Sequence, residues 1–184
     1  MSSKIKKTIH AAFIGMFLIC TSVSYAECQK YPAALQTMPQ GEDTIINVDG
    51  SEVAIHYLIA ESASLRAAGF QHVCPETIDK ESILFVFQME FTSAFHMNNV
   101  YAPLDIAFFD KQGVIIDIQT MYPYSVISVK KPLYQPAKPA MYALETHQGF
   151  FAAAGIKVGA RLQSRSVAAK KQYALGLFIY GRLL

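Results

Sequence analysis

The sequence predicts a mainly β (α+β) fold, a compact β-rich barrel-like single domain with two short helices, and three observations carry that prediction. Two β-prone runs, Thr44 to Val48 and Val53 to Ala60, flank Asp49-Gly50, a strong two-residue hairpin signal. A second pair, Leu104 to Phe109 and Val114 to Gln119, flanks Asp110-Lys111-Gln112-Gly113, where Gly113 can take the positive φ that ends such a turn. Ile83-Leu84-Phe85-Val86-Phe87 is apolar at every position, so both faces of that strand need cover and it belongs inside the sheet.

Residues 1–26 read as a signal peptide. Lys4, Lys6 and Lys7 precede an apolar run from Ala11 to Cys20, and the small residues Ser24 and Ala26 suit a signal peptidase that would leave Glu27 as the new N-terminus. The run is well short of the ~20 residues a helix needs to cross a bilayer. What remains is 158 residues, a length that fits one domain with its own core. The formal charge of +2 belongs to the leader: beyond it stand 13 basic and 14 acidic side chains, a balance of −1. That balance provides no basic field to attract nucleic acid, and the expected location is periplasmic or secreted.

Cys20 would leave with the leader, so Cys28 and Cys74 form an even pair in a compartment that permits oxidation. A disulfide between them is expected, tying the N-terminal arm to the loop after the first helix, with a buried thiol or a mixed partner as the alternative. No Cys-x-x-Cys or Cys/His spacing points to a zinc site or a thioredoxin-type centre.

Residues 27–43 are polar, contain Pro32, Pro39 and Gly41, and read as an irregular N-terminal arm before the domain proper at 44–163. Glu61 to Ala68 is a short amphipathic helix stopped by Gly69, and Cys74-Pro75 opens a turn. Along Leu104 to Phe109, alternation puts Leu104, Ile106 and Phe108 on one face and Asp105, Ala107 and Phe109 on the other. A proline-punctuated loop from Lys130 to Pro139 leads to a strand at Met141 to Glu145. Gln148 to Ala154 reads as one or two helical turns closed by Gly155, before a last strand near Lys157 to Gln163. Residues 164–184 form a basic and then apolar tail, in which Tyr173 to Tyr180 is flanked by Lys170-Lys171 and Arg182. This tail is expected to pack on the barrel, or to make peripheral contact with a membrane or partner.

One ordered set of short segments resembles a known family. It comprises Val53-Ala54, Leu65-Arg66-Ala67-Ala68-Gly69-Phe70, Ile83 to Phe87, Phe95-His96-Met97-Asn98-Asn99, Pro103-Leu104-Asp105-Ile106, Asp110 to Gly113, Tyr142-Ala143-Leu144-Glu145 and Gly155-Ile156-Lys157-Val158-Gly159. Together these look like domain of unknown function 192 over roughly residues 44–162. The resemblance implies a small exported or membrane-tethered β-rich domain without an established activity. Two departures stand out. The family's usual aromatic-Trp-Met-Lys-Asn-Thr block appears here as Phe95-His96-Met97-Asn98-Asn99-Val100, and Ala160 follows Gly159 where the family commonly has an aspartate. A role needing an indole platform or a fixed cation in that block does not carry over.

Candidate ligand-binding residues are Phe95, His96, Asn98, Asn99, Tyr101, Asp105 and Glu145. An imidazole, two amides and a carboxylate hold a polar ligand by directed hydrogen bonds, and Phe95 and Tyr101 offer ring faces for stacking. The alternative for this cluster is a network that satisfies buried backbone groups at a barrel corner. Glu145 either joins the cluster or caps the helix that follows, with capping the favoured role.

No catalytic residues are assigned. His96 as a general base oriented by Asp105 lacks a recognisable nucleophile, although Ser93 stands close by in sequence. There is no Gly-x-Ser-x-Gly elbow, no His-Glu-x-x-His and no phosphate loop, and neither a cofactor nor a metal is expected. The reading favoured by these residues is an exported, non-catalytic module that binds a small polar or sugar-like ligand or a partner protein in the cell envelope. A hydrolase acting on an envelope substrate and a structural or assembly factor of the envelope are the alternatives.

Overall fold

The computed structural model describes residues 28–124 and 128–163. The expected signal peptide and the C-terminal tail lie outside the described residues. A short helix α1 (Ala33–Thr37) leads into β1 (Gln40–Ile46) and β2 (Glu52–Ala60), the first hairpin. Its turn forms as Asp49-Gly50 requires: Gly50 has φ 85°, and Asp49 Oδ1 accepts from the Ser51 amide at 2.9 Å and the Ser51 hydroxyl at 2.6 Å.

Between β2 and β3 (Ile83–Phe91) lie α2 (Ala63–Ala68) and α3 (Pro75–Ile78). They exist because β2 and β3 run parallel, and parallel neighbours need a crossover rather than a tight turn. Ser62 starts α2 by accepting from the Leu65 amide at 3.2 Å, and Gly69 ends it with φ 47°. Pro75 occupies the first turn of α3, where its missing N–H leaves no bond unmade.

The remaining elements are β4 (Phe95–His96), β5 (Leu104–Phe109), β6 (Ile115–Met121), β7 (Leu133–Tyr134), β8 (Ala140–His147), α4 (Phe150–Ala153) and β9 (Arg161–Gln163). Seven strands build one sheet in the order β6-β5-β8-β3-β2-β1-β9, and β4 pairs with β7 as a separate ribbon. The large sheet curls into a half-barrel. Its two end strands approach at one corner, where the Ile115 amide donates to the Ala160 carbonyl and the Leu162 amide to the Gly113 carbonyl, each at 2.8 Å. Gly113 permits this, because a Cβ there would stand 2.9 Å from the Leu162 oxygen.

Both faces of the sheet are covered, which is why all six residues of β5 are buried. Leu104, Ile106 and Phe108 join Phe85 and Ala143 in one core, roofed by Leu35, Phe70 and Ile78. Ala107 and Phe109 join Leu84 and Leu144 in the other, closed by Phe151, Ile156 and Leu162. The face assignment along β5 read from alternation is the one observed.

Several local expectations are corrected. The arm is not irregular throughout: residues 40–43 complete a seven-residue ladder with β2, from Gln40 opposite Leu58 to Ile46 opposite Glu52. The nine-residue β2 offers backbone partners there, and pairing outweighs the polar composition. Four short helices replace two, because α1 and α3 form where the sequence predicts an irregular arm and a turn. The last strand begins at Arg161, after a turn in which the Ala160 amide donates to the Lys157 carbonyl at 3.0 Å. The loop from Lys130 to Pro139 contains β7, which clamps β4.

Cys28 and Cys74 are bonded, with their Cα atoms 4.8 Å apart. Alongside the bridge the Gln29 amide donates to the His72 carbonyl at 2.8 Å and the Cys74 amide to the Gln29 carbonyl at 3.0 Å. The arm is thus stitched to the loop between α2 and α3, where the cysteine count placed it.

Candidate functional site

A cavity of about 230 Å³ opens between α2, the Gly69-Phe70-Gln71 loop, β3 and the Ser93 to His96 segment. Phe70, Phe85, Phe87 and Phe95 stand in its walls. The Phe85 and Phe95 rings meet edge to face, 5.1 Å apart at 88°, and Phe87 stacks on Phe91 at 3.8 Å. Phe95 is held there by β4–β7 pairing and by a second edge contact to Phe108 at 5.6 Å.

Glu145 also lines this cavity. It stands opposite Ile83 of β3 and Ile106 of β5, so its side chain points to the face that carries those residues. Only 5% of it is exposed. Among the described residues no group hydrogen-bonds to its carboxyl and no cation lies within ion-pair distance. Burial alone therefore pushes the carboxyl up to about 8, which leaves it mostly protonated at neutral pH.

Gly69 shapes the opening over this carboxyl. A Cβ on Gly69 would lie 3.5 Å from the Phe85 ring and 3.8 Å from Glu145 Oε2, and its φ of 47° disfavours any side chain. Arg66, one turn earlier in α2, spreads its guanidinium over Phe87 at 4.8 Å and donates to the Glu61 and Val86 carbonyls at 2.6 and 3.1 Å. It is held at the rim and turned toward backbone oxygens.

Of the residues singled out in the sequence, the cavity brings together Phe95, His96 and Glu145. His96 is exposed, and its Nδ1 accepts from the Asn98 amide at 3.3 Å. Ser93 lines the cavity too, but among the described residues no hydrogen bond joins it to His96. Asn98, Asn99 and Tyr101 lie outside the lining. Asn99 has φ 54° and ties the segment to the loop before α3, its Nδ2 donating to Gln71 Oε1 at 3.3 Å and its carbonyl accepting from the His72 amide at 2.8 Å. The Tyr101 hydroxyl stands 3.5 Å from His72 Nδ1.

Asp105 lies outside the cavity as well, on the other face of the sheet. Its Oδ1 accepts from the Thr120 hydroxyl at 2.7 Å and its Oδ2 from the Gly149 amide at 2.8 Å. Both oxygens serve the protein's own groups, the second at the residue that opens α4. Glu145, for its part, sits within β8 and caps no helix. The helix-start contact expected of Glu145 is made by Asp105.

Arg66, Gly69, Phe85 and Phe87 were not expected at a site. The usable signal was the helix stop at Gly69 followed by an aromatic residue, but nothing in the sequence placed it above β3. Among the described residues no group of three metal-ligating side chains converges, and no helix is long and apolar enough to cross a membrane.

Fold and cavity define a small β half-barrel domain with an aromatic-walled site around one buried carboxyl. The chain belongs to domain of unknown function 192, described as an uncharacterized ACR, whose pattern matches residues 44–164. Two solved structures share the fold. A proposed transcription regulator from Sinorhizobium meliloti is 23% identical with a TM-score of 0.62, the match covering 69% of this chain and 95% of that one. A protein of unknown function from Novosphingobium aromaticivorans is 23% identical with a TM-score of 0.59, covering 73% and 99%. No curated protein matches the chain.

Proposed function

We propose that this protein is an exported, non-catalytic module that binds a small, sugar-like polar ligand in the cavity over Glu145. The observation that carries the reading is the Glu145 carboxyl itself, buried and aimed into a cavity with no hydrogen-bonding partner among the described residues. The protein's own described groups leave this carboxyl free at the cavity wall, so a ligand seated there meets an unused polar anchor. Flanking ring faces suit the C–H faces of a sugar, and Gln71, Ser93 and His96 lie within reach of outer hydroxyls. The volume is below the ~300–1,000 Å³ of drug-sized sites, which favours a single ring over a chain.

Export is supported by the leader-like sequence before Glu27 and by the Cys28–Cys74 bond, which is stable where thiols are oxidised. Binding is tested by titrating isotopically labelled protein with a panel of monosaccharides and following the backbone amides by NMR. Saturable shifts confined to the Arg66 to Gln71 and Ser93 to His96 segments are expected, and they should vanish in Gly69→Leu. Shifts centred on Asp105, or none across the panel, would overturn the assignment.

A further inference from the structure

We propose that Glu145 recognises a basic amine on the ligand, so that the preferred sugar-like ligand is an amino sugar whose ammonium group replaces the proton on the carboxyl. The inference rests on the cavity being the binding site and names the chemistry it selects.

Among the described residues, the elements packed around Glu145 offer the ionised carboxylate no counter-charge. From β3 come Ile83 and Phe85, and from β5 comes Ile106; none carries a side-chain hydrogen-bond donor. The charged or titratable groups on the lining are Arg66 from α2 and His96 from β4. Arg66 is committed to the Glu61 and Val86 carbonyls and to the Phe87 ring, and His96 is exposed with Nδ1 bonded to its own chain. Neither forms an ion pair with Glu145. The described residues therefore supply no counter-charge to the ionised form, and a ligand cation would supply it.

The walls favour the same group. Phe85 and Phe95 stand nearly perpendicular, 5.1 Å apart, so an ammonium seated over the face of either ring, and not at its electropositive edge, gains from the ring quadrupole. Ring quadrupoles attract a cation there more strongly than at an exposed site. A hydroxyl in the same place would gain one hydrogen bond from the protonated carboxyl and nothing comparable from the rings. The proton balance follows. Below the carboxyl's titration range the amine arrives as R–NH₃⁺ and the carboxyl as COOH; the complex is R–NH₃⁺ with COO⁻, and one proton passes to the buffer.

The test uses glucosamine, glucose, N-acetylglucosamine and methylammonium as probes, with calorimetry in buffers of different ionisation enthalpy at mildly acid pH. Glucosamine should bind about tenfold or more tighter than the two neutral sugars, the scale of a desolvated cation–π contact, and release close to one proton. Glu145→Gln should abolish both the preference and the release. Because that variant could lose its fold, the Glu145 carboxyl is also followed by carbon NMR in the wild-type protein, where glucosamine should move its titration to lower pH. Equal binding of all three sugars without proton release overturns the inference and leaves the cavity reading standing. Binding of methylammonium but of no sugar supports the amine site and overturns the sugar-like reading. Failure of all four probes overturns both.

Discussion

Asp105 and Glu145 lie one register step apart on neighbouring strands and point to opposite faces of the sheet, because Asp105 pairs with Thr146 and Ile106 with Glu145. One carboxylate is satisfied by the protein and the other faces a cavity. That difference sets a carboxylate held by the protein's own groups apart from the one at the proposed ligand site, and it can be measured.

Asp105 should behave as a structural residue. Asp105→Ala leaves the Gly149 amide and the Thr120 hydroxyl without their acceptor, a loss of roughly 2–4 kcal/mol by the usual scale for buried hydrogen bonds to charge. Asp105→Asn should lose about half as much, since its oxygen can still accept from Gly149 and its amide can donate to Thr120 Oγ1. Neither should alter ligand affinity in variants that fold. Denaturant melts with binding titrations check this, and loss of binding in stable Asp105→Asn would restore Asp105 to the site.

Local patterns in the sequence singled out both carboxylates but favoured Glu145 as a helix cap and Asp105 as a ligand contact. Alternation along β5 put Leu104, Ile106 and Phe108 opposite Asp105, Ala107 and Phe109, and that is how they pack. Which face holds the cavity depends on where the α2 crossover lands, and that follows from strand order, a non-local property. Glu145 stood close in sequence to a helix start and so read as its cap. The Gly149 amide is instead reached by Asp105, 44 residues away along the chain. Phe95 and His96, singled out in the sequence, line the cavity, whereas Gly69 and Phe85 needed the tertiary fold to meet.

The disulfide closes a loop of 46 residues, so its contribution on the chain-entropy scale is about 4 kcal/mol at most. Reduction, or replacement of both Cys28 and Cys74 by Ser, should lower the denaturant midpoint by about that equivalent and free the Gln29–Val73 bridge. Thiol labelling of the unreduced, unfolded mature protein should find no free thiol. Two labelled cysteines would sink the claim.

Protein recovered from the cell envelope should begin at Glu27, after the small residues Ser24 and Ala26. N-terminal sequencing settles the point. Retention of Met1 in a cytosolic fraction would remove the export proposal while leaving the cavity argument untouched.

Glu145 should make stability fall as pH rises. Its folded-state carboxyl is raised from the ordinary 4.5 to about 8 by burial, so between those values the folded chain keeps a proton that the unfolded chain releases. The unfolded state then gains from rising pH and the folded state does not. The stabilising contribution is therefore whole below about pH 4.5, is lost progressively toward about pH 8, and changes no further above it. The full span amounts to a loss of about 5 kcal/mol. Glu145→Gln carries no proton to release, so its unfolding free energy should lack this slope. The variant should match wild type at the acid end and exceed it increasingly toward the alkaline end. Chemical denaturation of both proteins across that range is the measurement, and parallel curves would show that Glu145 is either solvated or held by a partner. A saturating amine ligand should flatten the wild-type slope as well, because the bound carboxylate no longer holds the proton.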